Sequence, residues 1–271
     1  MPPIKVGGSV ESLHESTRTD AEIAFKMVFN EMLVDINESL AIRIYDSNRE
    51  VIEKFKQNDV QVIFIDSASY LDIESWIHPV GRYTLQYGPS LKQRYLLLVR
   101  NDSSFNSLES LRGRRLSHCT GHRIGMRYLD AELMQRGLPE SPRFFAEARV
   151  KNNMNSAVVD VYFGKSDVAL VPEYGFELAK ELNPQVGRQL SVIAASEPLI
   201  YITVGLHKTF PEDRMRKVEP SFLSEQPTRR LQSILESFHI TRYVRITDEI
   251  IEETRAVNDR YHRLKAKRSV H

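Results

Sequence analysis

Two kinds of apolar spacing alternate along the first part of this chain. Residues 4–10 form a short, mostly apolar run broken by Gly7-Gly8-Ser9, the mark of a buried strand running into a loop. Residues 20–36 instead place Ile23, Met27, Phe29 and Leu33 among charges, which predicts an amphipathic helix. Residues 40–45 alternate as a strand does. Residues 49–57 read as a second helix with Val51, Ile52 and Phe55 facing inward. The β-branched run at 60–65 is a third strand, ending at Asp66-Ser67-Ala68. An order of β-α-β-α-β predicts a mainly parallel sheet with helices on both faces, and such sheets bind ligands outside the carboxyl ends of their strands. The loops after Val6 and Ile65 are therefore the places to look.

The middle of the chain repeats the rhythm. A strand at 95–99 is followed by a polar break at 101–104 and a short helix at 108–113 with a glycine stop. Residues 114–118 lead into a strand. Thr120-Gly121 precedes a helix from about His122 to Gln135, and residues 144–148 form the next strand. Asn155 or Ser156 caps a helix that runs through Phe163 and stops at Gly164. Residues 168–171 then form a strand followed by Pro172-Glu173-Tyr174-Gly175. This is a second β-α-β-α-β series. Two more strands, 192–195 and 199–204, flank Ser196-Glu197-Pro198. Residues 227–238 carry Leu231, Ile234, Leu235 and Phe238 on one helical face, and the tail from Asp248 is helical and highly charged. No internal repeat or low-complexity tract interrupts this order.

Composition narrows the classes. Hydrophobic residues make up 41% and charged residues 27% of 271, a globular balance large enough for one or two domains. A formal net charge of +1 supplies no whole-molecule field for nucleic acid or an anionic membrane, so any anion preference is local. The single cysteine, Cys119, allows no intrachain disulfide and no Cys/His zinc framework. The opening residues lack the apolar stretch of a signal peptide, and nothing approaches the roughly 18 apolar residues of a membrane span. Two readings follow: a cytoplasmic protein, or a periplasmic one from which a signal peptide has been removed.

Several residues bear on chemistry. Thr120-Gly121-His122 sits where a helix begins. The unpaired N–H groups and partial positive charge of that end suit an anion, and Gly121 admits a ligand to the backbone. The plainer reading is a helix cap by Thr120 beside a turn glycine. His118, His122 and Arg123 can add charge-assisted bonds to an oxyanion, and His122 is the preferred of the three. Asn152, Asn153 and Asn155 offer amides to a polar solute, or a turn and a cap. Glu173 can accept from an ammonium group and Tyr174 can line a site; equally, Glu173 is a surface carboxylate at a helix start. Ser9 and Ser67 end strands, and Asp66 either joins them or caps the next turn. Trp76, Tyr83 and Tyr87 offer rings for stacking, or fill the core.

The order of elements resembles the phosphate- and phosphonate-type substrate-binding components of ABC transporters, within the type II periplasmic binding proteins. Four stretches carry the resemblance: the opening Ile4-Lys5-Val6-Gly7-Gly8-Ser9, the lead-in Ser107-Leu108-Glu109-Ser110-Leu111-Arg112-Gly113, the step Gly164-Lys165-Ser166-Asp167-Val168-Ala169, and Tyr243-Val244-Arg245-Ile246-Thr247-Asp248. The resemblance implies an α/β, two-lobed periplasmic-binding-protein-like (type II) fold. Each lobe is a mainly parallel sheet flanked by helices, and two hinge strands join them. Lobe 1 would take residues 1–98 plus 202–271 and lobe 2 residues 99–201. A small polar, anionic solute would bind in the interlobe cleft, which closes by hinge motion. The family's Ser/Thr-rich run corresponds here to residues 117–122 and is shorter, and the family's histidine position falls nearest Met154. Binders of amino-phosphonates carry an acidic residue placed as Glu173 is. The implied ligand set is Ser9, Ser67, Tyr87, Thr120, Gly121, His122, Asn153, Asn155, Glu173 and Tyr174. The implied partners are a small polar solute and the membrane subunits of an ABC transporter, or a signalling partner if the domain is a sensory input; no nucleic acid is expected, and a monomer is. An enzyme on the same fold is the third reading. The chain has no G-x-S-x-G, H-E-x-x-H or P-loop lysine motif, so no catalytic residue, metal or cofactor is expected.

Overall fold

The computed structural model describes residues 2–12, 17–33, 36, 38–225, 227–237 and 239–268. Phe238, assigned above to a helix face, lies outside the described residues. The chain divides into two units, residues 1–91 with 200–250 and residues 92–199 with 251–271.

Unit 1 begins with β1 (Ile4–Ser9), α1 (Arg18–Met32), β2 (Leu40–Tyr45), α2 (Asn48–Lys56), β3 (Val62–Asp66), α3 (Ser67–Asp72) and β4 (Ile77–Tyr87). Unit 2 follows with β5 (Tyr95–Arg100), β6 (Arg115–Cys119), α4 (Arg123–Gln135), α5 (Ser141–Phe144), β7 (Glu147–Lys151), α6 (Met154–Tyr162), β8 (Val168–Pro172), α7 (Glu173–Leu182), α8 (Pro184–Gln189) and β9 (Leu190–Ala195). The chain returns to unit 1 for β10 (Ile202–His207), α9 (Glu212–Phe222), α10 (Arg229–Ser237) and β11 (Ile240–Arg245). A last helix, α11 (Asp248–Arg268), starts in unit 1 and continues in unit 2.

Both sheets are mixed. In unit 1 the order is β11-β4-β10-β3-β1-β2, with β2, β1 and β3 parallel and the other pairs antiparallel. In unit 2 the order is β7-β6-β8-β5-β9, with β7, β6 and β8 parallel and β5 antiparallel to both its neighbours. The expectation of parallel pairing thus holds for three strands in each sheet, the strands of the two β-α-β-α-β series. β4, β10 and β11 in unit 1, and β5 and β9 in unit 2, complete each sheet through antiparallel pairs. The central strands β3, β5, β8 and β10 are buried almost throughout, which is why they read as continuous apolar runs rather than alternating ones.

Local sequence explains most helix starts. Thr17 and Asp20 form a reciprocal capping box on α1, and Ser47 caps α2. Of the face expected for the first helix, Phe29 and Leu33 are buried, but Ile23 and Met27 are exposed, about half in solvent, and Ala21, Val28 and Met32 are buried in their place. Aromatic packing decides the rotation. Phe25 and Phe29 both pack edge-on against Phe64, at 4.7 and 5.6 Å between ring centroids, and two phenyl rings bury more area than Ile23 with Met27. Of residues 144–148, expected as a strand, Phe144 ends the short helix α5, and the strand begins at Glu147.

Candidate functional site

The parallel strands β7, β6 and β8 lie side by side, and each is followed by a helix that starts at its carboxyl end. Unit 2 therefore opens three helix N-termini along one edge of one sheet. A helix start of this kind has N–H groups with no partner inside the helix itself and a partial positive charge.

At β6, Thr120 continues the strand ladder by donating its N–H to the Lys151 carbonyl at 2.9 Å, so it is not the cap of α4. Gly121 turns the chain in the left-handed region, at φ 74°, where a side chain is strained. His122 is the N-cap residue, and no side chain caps the first turn of α4. Its ring is buried and shares a hydrogen bond with the Tyr95 hydroxyl, 3.0 Å from Nδ1. At β7, Asn153 caps α6 by accepting from the Ser156 N–H at 2.7 Å, a role expected of Asn155 or Ser156; Asn155 is the second residue of the helix. At β8, Glu173 opens α7 and donates its N–H to the Arg94 carbonyl at 2.8 Å, while the Tyr174 N–H donates to Gln93 Oε1 at 3.2 Å. Glu173 and Tyr174 are both half-buried.

Close contacts tie these three helix ends together. A Cβ on Gly125, in the first turn of α4, would stand 2.3 Å from the Tyr95 ring. Tyr95 pairs in register with Pro172, which precedes α7. A Cβ on Gly175, in the first turn of α7, would stand 2.7 Å from Cβ of Met154, the first residue of α6. Met154 had been noted only as nearest the family's histidine position, and Tyr95, Gly125, Gln93 and Gly175 were missed as contributors to this rim. The available signal was a glycine within the first turn of a helix, where it costs about 1 kcal/mol against alanine and so marks a close approach.

In unit 1 the carboxyl ends of β1 and β3 carry a buried polar network. Ser9 donates its hydroxyl to Asn48 Oδ1, and Ser12 does so at 2.7 Å. Asn48 Nδ2 donates to Asp66 at 2.8 Å, and Asp66 caps α3 by accepting from the Ser69 N–H at 3.0 Å. The Ser67 hydroxyl donates to the Ile200 carbonyl at 2.6 Å. Tyr87, at the far end of β4, packs edge-on against Tyr201 at 5.5 Å. Trp76 and Tyr83 do not share that place. Trp76 sits by His207 at the opposite sheet edge with the Lys208 ammonium 3.8 Å from its ring, and Tyr83 is buried against Phe222 and donates its hydroxyl to Glu219. No group of His, Cys, Asp and Glu among the described residues could hold a metal ion, and no described helix is long and apolar enough to cross a membrane.

Comparison with known proteins agrees with this architecture. A family model described as "ABC transporter, phosphonate, periplasmic substrate-binding protein" matches residues 14–250. No curated protein matches the sequence. Among solved structures, a Xanthomonas citri protein bound to ATP superposes with a TM-score of 0.74 at 14% identity, covering 97% of this chain and 98% of that one. PhnD1 from Prochlorococcus marinus, in complex with methylphosphonate, gives 0.71 at 13% identity over 97% and 99%. A binding-protein component of an ABC phosphonate transporter from Pseudomonas aeruginosa gives 0.70 at 12% identity over 97% and 88%. At such identities the superpositions establish the two-lobed type II fold, and the family model covers most of the sequence. This chain belongs to the periplasmic substrate-binding proteins of ABC phosphonate transporters.

Proposed function

We propose that this chain captures a small phosphonate- or phosphate-like oxyanion along the edge of unit 2 where α4, α6 and α7 begin. It then serves the membrane subunits of an ABC transporter, in the periplasm as the family does, as a monomer and without making or breaking covalent bonds. The observation that carries this reading is the row of three helix N-termini at the carboxyl ends of β6, β7 and β8. Amides and dipoles of that kind neutralise an oxyanion without a formal cation. Thr120 and Gly121 would bring hydroxyl and backbone to the anion, with Gly121 allowing close approach. The His122 ring is buried, so its part is played through its main chain. Asn153 uses its carbonyl oxygen on the cap, which leaves its amide NH₂ end, with Asn155, for polar solute groups. Glu173 and Tyr174 would meet the solute's other end, where a cationic group suits Glu173. Ser9, Ser67 and Tyr87 are the corresponding groups of unit 1: Ser9 through the network it stiffens, Ser67 as an acceptor, Tyr87 as a ring.

A thermal-shift panel of methylphosphonate, inorganic phosphate, an alkylsulfonate, an amino acid and ATP tests the reading. A true ligand at about 100 times its dissociation constant stabilises the fold by about 2.7 kcal/mol. Methylphosphonate or phosphate is expected to raise Tm by several degrees, and Gly121→Val is expected to abolish the rise. No shift with either anion, or chemical turnover of a bound solute, would contradict it.

A further inference from the structure

We infer that Tyr95 is a positioning residue of the oxyanion cradle, holding the first turn of α4 from two sides at once. The inference rests on the reading proposed above.

Tyr95 begins β5 and is fully buried. Its ring lies in the space left by the missing side chain of Gly125: a Cβ there would meet ring carbons at 2.3, 2.6 and 2.8 Å. Its hydroxyl reaches 3.0 Å from Nδ1 of His122, and the two rings meet edge to face at 5.6 Å. His122 is the N-cap, at φ −92° and ψ 48°, outside the extended conformation usual for that position. The His122 side chain makes no capping hydrogen bond to the first turn. One ring-to-backbone contact inside that turn and one hydrogen bond to the residue before it hold it from two sides. They set the direction of the amides of Gly121 to Gly125. Main-chain pairing fixes Tyr95 in turn: its N–H donates to Ser196 Oγ at 2.8 Å, its carbonyl accepts from the Ser196 N–H at 2.9 Å, and it registers with Pro172 at the start of α7. Tyr95 therefore links the start of α4 to the start of α7 through the sheet. A cradle built of amides discriminates by angle and distance, so a small rotation of one helix end weakens anion binding while the fold persists.

The test is calorimetric titration of methylphosphonate into wild type and Tyr95→Phe, with Tm measured without ligand and the ¹⁵N signals of the His122 ring recorded. Tyr95→Phe keeps the ring in the Gly125 slot and removes only the hydroxyl. The expected result is an affinity at least fivefold lower, a ligand-free Tm within a few degrees of wild type, and a shifted Nδ1 signal for His122. His122→Phe, which leaves the Tyr95 ring seated on Gly125 and removes only the nitrogen partner of its hydroxyl, is expected to lose affinity by a similar factor and serves if Tyr95→Phe does not fold. Wild-type affinity within twofold in the variant that folds overturns the positioning role while leaving the oxyanion site standing. A lower ligand-free Tm with unchanged affinity marks a purely structural residue and overturns it too. Failure of wild type itself to bind methylphosphonate or phosphate sinks the underlying reading, and the positioning role with it.

Discussion

Burial decides how single side chains behave in this protein. His207 is buried against Phe55, with the ring centroids 5.1 Å apart, and its Nδ1 accepts the Thr209 N–H at 3.2 Å. The same Nδ1 lies 2.8 Å from the Thr209 hydroxyl. Burial first, and the neighbouring Lys208 second, hold its pKa below the ordinary histidine value; burial does the same at His118. An unfolded histidine titrates near about 6.5, so below that pH the unfolded chain binds more protons than the native one, and stability falls as pH falls. Tm should therefore drop between pH 7 and pH 5, and His207→Asn should flatten the drop although it lowers Tm at pH 7. An unchanged slope would contradict this account. A second case is Glu38, whose buried carboxylate accepts from Arg214; that contact holds its pKa below the usual range, and Arg214 also donates to the Pro2 carbonyl at 3.0 Å. Glu38→Gln should cost about 1–3 kcal/mol in a urea titration at pH 7, because it strips a buried guanidinium of its charge partner. Because the pKa is depressed, this contribution is present at neutral pH and is lost as pH falls through the acidic range. Neither pair could be read in the sequence, since Glu38 and Arg214 lie far apart along the chain and nothing local joins His207 to Phe55.

Elements were legible where a local rule fixes them. The strands at 40–45 and 168–171 and the helix at 49–57 follow directly from spacing and apolar runs, and the structure has them. β4 was not assigned, because His78, Pro79, Gly81 and Gln86 break any alternation and its two halves have different neighbours, β11 pairing only with residues 83–87. On α1, Phe29 and Leu33 were placed on the buried face, as they are, but spacing alone could not prefer Phe25 to Ile23 and Met27. In the candidate site, the three loops at 120–122, 152–155 and 172–174 stood out as Gly, Asn and Pro breaks before apolar helices. What stayed hidden was the contact between helix ends, which depends on the register of β5 with β8. Gly175→Ala tests that contact. Its new Cβ should push against Met154, lower Tm and weaken oxyanion binding severalfold, and Met154→Gly in the same chain, which removes the opposing Cβ, should restore much of the affinity. A Gly175→Ala protein with unaltered Tm and affinity would show that the two helix starts do not depend on close packing.

At the scale of the whole molecule, the near-neutral charge and the family agree: nothing global attracts anions, so selectivity rests with fixed dipoles at strand ends. The chain carries two sheets of similar build, each with three parallel strands and its own carboxyl-end rim of polar groups. In unit 1 the strand-end groups Ser9, Ser12, Asn48 and Asp66 are joined in one hydrogen-bonded network where α2 and α3 begin, and in unit 2 the helices α4, α6 and α7 begin at the strand ends. The central claim is that solute oxygens are held by those helix starts. The most direct measurement is an amide NMR titration of the isotope-labelled protein with methylphosphonate. The account predicts that the largest, saturable shifts fall on Gly121, Arg123, Ile124 and Gly125 and on the first turns of α6 and α7. Shifts confined to other regions of the chain, or none at saturating methylphosphonate and phosphate, would contradict it.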